Sequence, residues 1–97
     1  MFLVYYHGTS GGVCNYENNV IRSEGECMNA IWQLSMSPQG SIWKGINWRM
    51  PAGCSIRNGG DRRPHLDYTL DTPKGVGFGR ENLIPICKTY SNISEYF

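Results

Sequence analysis

The stretch SEGECMNAIWQL, residues 23–34, decides the fold class. Ser23 stands three residues ahead of Glu26, the spacing of a capping box. In that motif the serine hydroxyl accepts from the N–H three residues on, and the Glu26 side chain reaches back to the Ser23 N–H. Cys27, Ala30, Ile31 and Leu34 then fall at i, i+3, i+4 and i+7, a single apolar stripe. The spacing predicts a helix over residues 24–36, stopped by SPQG at 37–40. Cys27 sits in its first turn on the face to be buried. Met28 and Trp32 flank the stripe, and Trp32 is expected in the core.

Around this helix the chain reads as short strands. FLVYY (residues 2–6) is β-rich and aromatic, and HGTSGG ends it with turn chemistry. SIWKGINW (41–48) reads as a strand or an irregular aromatic segment. Residues 54–57 form a short strand with Cys54 and Ile56 pointing one way and Ser55 and Arg57 the other. NGGD (58–61) turns the chain. Residues 65–70 alternate: Leu66, Tyr68 and Leu70 on one face, His65, Asp67 and Thr69 on the polar outer face. DTPKG (71–75) is another turn, and 82–90 is the last strand. Strand, helix, then several strands is an α+β order, with one capped helix packed on a small antiparallel sheet. Residues 1–91 are expected to form one compact domain and 92–97 a mobile C-terminal tail.

The 97 residues carry a net charge of +1, 18% charged residues, 12 Gly, three Trp, six Tyr and three Phe. That is a glycine-punctuated globular composition, not a disordered one. From residue 44 to 80 seven basic side chains (Lys44, Arg49, Arg57, Arg62, Arg63, Lys74, Arg80) face three acids (Asp61, Asp67, Asp71). The excess is milder than a surface that neutralises many phosphates, so nucleic acid is not the expected partner. No segment has the apolar length of a transmembrane helix, and MFLVYY lacks the charged start and the length of a signal sequence. Met1 therefore reads as an added start or as the edge of a mature fragment.

Cys14, Cys27, Cys54 and Cys87 are widely spaced, with no CxxC pair and no histidine placed to complete a zinc site. No metal or cofactor is implied. An even count at such spacing favours two disulfides and an oxidising compartment, extracellular or lumenal; four buried free thiols is the competing reading. Four cysteines allow three connectivities. Cys27 on the inward helix face and Cys54 opening a strand suit a bridge that pins helix to sheet, leaving Cys14 and Cys87 to tie the ends together. The chain-entropy model gives roughly 3.5 and roughly 4.4 kcal/mol for these loops.

IRSEGEC (21–27), PAGC (51–54) and ICK (86–88) together resemble a small cysteine module of predicted secreted and surface proteins of marine microalgae and other protists. The resemblance covers about residues 14–88 and carries no activity with it. A cysteine-bearing helix stapled to a strand, with the ends bridged, is also similar in architecture to PAN/apple modules. Those are extracellular domains that bind proteins or glycans. Their third, central disulfide has no counterpart here.

Three groups of residues hold candidate chemistry. His65 with Arg62, Arg63 and Asp67, and with His7 or Glu81 as partner, has the residue types for acid–base work on a phosphate ester. As the outer face of a strand after a charged turn, the same residues need no activity. KGVGFGR (74–80) is glycine-rich between two cations, but it leads into a strand rather than a helix and reads as a turn or bulge. Trp43 and Trp48, beside Lys44 and Arg49, are placed to stack on sugar rings or bases if exposed. Asn92, Ile93 and Ser94 form a glycosylation sequon. The expectation is a non-enzymatic, disulfide-stabilised module that binds protein or glycan, or serves in a larger assembly. Its binding residues are expected to be Trp43, Lys44, Trp48, Arg49, Arg57, Arg62 and Arg63. The alternative is a small secreted nucleic-acid-cleaving enzyme or toxin using His65.

Overall fold

The structure, a computed structural model, describes residues 2–70 and 76–91. The turn expected at 71–75, Lys74, the tail and its sequon lie outside the described residues. In chain order the elements are β1 (Phe2–His7), a 3-10 turn (Glu17–Asn19), α1 (Glu24–Gln33), β2 (Trp43–Gly45), β3 (Gly53–Arg57), β4 (Pro64–Asp67) and β5 (Leu83–Ser91).

Helix α1 starts where the capping residue places it. The Ser23 side chain accepts from the Glu26 N–H at 3.3 Å. The reciprocal half of the capping box is not made. The Glu26 carboxylate instead takes the Tyr5 hydroxyl at 3.1 Å and the Lys88 ammonium at 3.0 Å, clamping the helix to β1 and β5. Burial, and then the Glu26 carboxylate, push the Tyr5 phenol up. The helix ends at Gln33 rather than near 36. Ser35 takes a left-handed φ of 58°, and the Ser35 and Met36 N–H groups turn back to the Trp32 and Ile31 carbonyls, a Schellman closure without glycine.

One five-stranded sheet lies under the helix, in the order β1-β5-β3-β4-β2. Three of its pairings are antiparallel, but β2 runs parallel to β4, so the sheet is mixed rather than purely antiparallel. The chain reverses between β2 and β3 and again between β3 and β4. Two reversals restore the direction of β2, and β3 already occupies the inner side of β4. Beyond Pro85 the place of β3 beside β5 is taken by Val20, which bridges Cys87.

The two disulfides have the expected pairing. Cys27–Cys54 and Cys14–Cys87 have Cα atoms 5.3 and 5.7 Å apart. Each belongs to its own apolar cluster. Cys27 and Cys54 pack with Ile31, Ile56, Leu66 and Ile86 between helix and sheet. Cys14 and Cys87 pack with Val20, Ala52 and Val76.

The expected alternation of residues 65–70 is overturned at its end. Asp67 and Thr69 are buried, while Tyr68 and Leu70 are exposed. The cause is local hydrogen bonding. Asp67 Oδ1 accepts from the Asn47 N–H (3.0 Å), the Thr69 N–H (3.0 Å) and the Thr69 hydroxyl (2.7 Å). A carboxylate that gathers nearby donors stops the strand and draws the polar face inward. Trp32 also departs from expectation and is 59% exposed. Five residues past Cys27 it has turned about 140° around the helix, off the buried face.

Candidate functional site

Two surfaces bring functional side chains together. The first is an aromatic platform built by three short segments. Phe78 N–H bonds the Met50 carbonyl, Ala52 N–H bonds the Val76 carbonyl, and Tyr68 N–H bonds the Gly45 carbonyl. Asp67 fixes the 46–49 loop through the Asn47 N–H, and Asn47 Oδ1 accepts from the Arg49 N–H at 2.9 Å. On this frame Trp48 meets Phe78 edge to face, with ring centroids 5.8 Å apart. The Arg49 guanidinium lies 4.8 Å above the Trp48 ring. Trp48 is 52% exposed and Phe78 50%. Ile46, Tyr68 and Leu70 on the same segments are exposed as well. A positively charged arginine on one indole face and an aromatic edge beside it leave an exposed apolar surface with a cation at its margin.

The second surface is a small cleft of about 60 Å³ lined by Arg57, His65, Arg80, Asn82 and Leu83. His65 Nδ1 donates to the Arg63 carbonyl at 2.9 Å, which leaves Nε2 as the open ring nitrogen. Burial lowers the His65 pKa, with the Arg63 and Arg57 charges adding to the effect; the Arg63 carbonyl and Asp61 oppose it. The Trp43 ring tilts against the His65 ring at 5.9 Å.

The other residues singled out in the sequence are committed elsewhere. Trp43 is half-buried over Gly45 and supports His65 instead of facing solvent beside Trp48. Lys44 pairs with Glu24 at 3.1 Å, an exposed contact. Arg62, at a left-handed φ of 48°, donates to the Met36 and Ser37 carbonyls. Arg63 Nε donates to the Ser41 carbonyl at 2.8 Å. These two arginines tie the 36–41 segment to the start of β4. Neither His7 nor Glu81 hydrogen-bonds His65; His7 turns to the Gly8 carbonyl, and the Glu81 carbonyl takes the Ser10 hydroxyl. Among the described residues, then, no hydrogen bond joins His65 to a second titratable side chain, and Asp67 anchors the 46–49 loop.

Phe78 and Asn82 carry no expected role in the sequence, and Arg80 enters there only as one of the two cations that flank KGVGFGR. A larger open groove of about 710 Å³ is lined by Glu17, Asn18, Val20, Arg22, Lys88 and Tyr90. There Lys88 is held by Glu26, and Arg22 donates to the Thr69 carbonyl. Among the described residues no group of three His, Cys, Asp or Glu side chains could hold a metal ion, and no helix is long and apolar enough to cross a membrane. No protein-family model, no curated protein and no solved structure matches the chain.

Proposed function

We propose that this chain is a non-enzymatic binding module of an extracellular or other oxidising compartment, which recognises a protein or glycan through the Trp48–Arg49–Phe78 platform. The observation that carries the reading is that Trp48, on a loop anchored by the buried Asp67, and Phe78, tied to the Met50 carbonyl, are held half-exposed and edge to face. Burying either ring in the core would have stabilised the domain by about 1.5–3 kcal/mol. Presenting both to solvent forgoes that gain, as a contact surface does. The two disulfides fit an oxidising compartment. The resemblance to secreted protist cysteine modules and to PAN/apple architecture points the same way.

The test has two arms. The folded domain is applied to an array of immobilised oligosaccharides. In parallel a photo-crosslinking residue at position 46 is exposed to secreted proteins of the source cells. The expected result is saturable binding in one arm that Trp48→Ala or Phe78→Ala reduces at least about tenfold, with an unchanged near-ultraviolet spectrum away from the lost ring. Binding that survives both substitutions, or none in either arm, overturns the proposal. The nucleic-acid-cleaving alternative gains no support, because Arg62 and Arg63 serve backbone carbonyls and no second titratable side chain hydrogen-bonds His65 among the described residues.

A further inference from the structure

We infer that the cleft between β3, β4 and the turn before β5 binds a tetrahedral oxyanion, the sulfate or phosphate ester of a larger partner, through Arg57, Arg80, His65 and Asn82. The inference does not depend on the aromatic platform.

Volume and charge agree on this ligand. About 60 Å³ exceeds the roughly 10–15 Å³ that a cavity needs to hold one water, and so has room for a small oxyanion. The Arg80 side chain makes no hydrogen bond or ion pair among the described residues, so its five donors remain available. Among the described residues the Arg57 side chain is engaged only by Asp61 at 3.6 Å, an exposed contact worth little in water. Guanidinium forks match the paired oxygens of sulfate and phosphate. Ser55 lies directly across the β3–β4 register from His65, on the same sheet face. Its hydroxyl is wholly buried and has no hydrogen-bond partner among the described residues.

His65 couples this site to pH. The charged groups acting on the ring are Arg57, Arg63 and Asp61, with Arg80 lining the same cleft and the Trp43 ring on its flank. With Nδ1–H committed to the Arg63 carbonyl, neutral His65 presents a lone pair at Nε2, which repels an anion. Protonation turns Nε2 into a donor. A bound anion therefore favours the imidazolium, takes up one proton, and binds more tightly as pH falls. Sulfate does not titrate in this range, so its pH dependence reports His65.

The experiment is a titration of the whole domain with sodium sulfate at constant ionic strength, following the His65 imidazole by NMR at about pH 5.5 and about pH 7.5. Expected is a saturable shift, with affinity higher at the lower pH by about tenfold for each unit that sulfate raises the His65 pKa. Arg80→Gln, an exposed change, weakens binding about tenfold. His65→Asn, followed through the backbone amide signals of Arg57, Arg80 and Asn82, abolishes the pH dependence, and Trp48→Ala leaves the titration unchanged, which separates this site from the platform. Glucose 6-sulfate and glucose 6-phosphate, against glucose, identify the source: tighter binding of one ester assigns a sulfated or a phosphorylated partner. No saturable shift, binding equal in Arg80→Gln, or glucose binding as well as its esters overturns the inference.

Discussion

Gly53 opens β3 at a φ of 75°, directly under the segment that crosses β5. A Cβ there would lie 2.3 Å from the Ile21 carbonyl oxygen and 2.4 Å from Val20 Cγ1. The Ile21 carbonyl is backbone, held next to the bridge from Val20 to Cys87, and does not yield as a side chain can. Gly53→Ala combines a left-handed alanine with a backbone clash and is expected to cost more than about 2 kcal/mol, read as a fall in the denaturation midpoint with unchanged slope. PAGC was legible as a turn leading to a staple, but not this requirement, because the obstructing atoms lie some thirty residues earlier in the chain. His65 yields a second prediction. Its folded pKa is lowered, so the unfolded chain binds more protons as pH falls through about 6.5. The His65 contribution to stability is complete above that value and declines below it, toward the folded pKa. Urea midpoints measured across this window should slope upward with pH in the native chain, and His65→Asn should flatten the slope by the histidine's share.

At the scale of elements, α1 shows how far local rules reach. Ser23 and the i, i+3, i+4, i+7 stripe mark the helix start and its buried face, and Cys27, Ala30 and Ile31 are buried as that spacing requires. The destination of the Glu26 carboxylate was not legible, because Tyr5 and Lys88 reach it only once β1 and β5 pair. Strand β4 shows the opposite case. Its alternation was plain in the sequence, yet one carboxylate gathering donors from Asn47 and Thr69 outweighs it and leaves Tyr68 and Leu70 in solvent. The two disulfides act on different pairs of elements and should differ in effect. In the chain-entropy model, replacing Cys14 and Cys87 together by serine costs roughly 4.4 kcal/mol and replacing Cys27 and Cys54 roughly 3.5 kcal/mol. Chemical denaturation of the two double variants checks the order. The reverse order would show that packing of the helix cluster around Cys27, rather than loop length, dominates.

Across the whole molecule the tryptophans divide the surface. Trp32 and Trp48 face solvent from different parts of the fold, and Trp43 is sheltered against His65 and Gly45. Acrylamide is therefore expected to quench most of the emission while leaving a protected fraction, and Trp43→Phe should remove that fraction. Uniform quenching of all three indoles would contradict the placement of Trp43. The sequence by itself determined the α+β class and the helix with its buried stripe; it favoured one pairing of the cysteines among three, which the structure then shows. These follow from periodicity, capping and chain order, which act over a few residues. Only the tertiary structure decided the parallel edge strand β2, the inward turn of Asp67, and which charged side chains meet. Arg62 and Arg63 looked like the site because they adjoin His65 in sequence, but backbone carbonyls claim them, whereas Arg80, far along the chain, reaches the His65 cleft. Hydrogen-bond demand and strand register act between segments distant in sequence, so the identity of the exposed groups is settled only when the sheet closes.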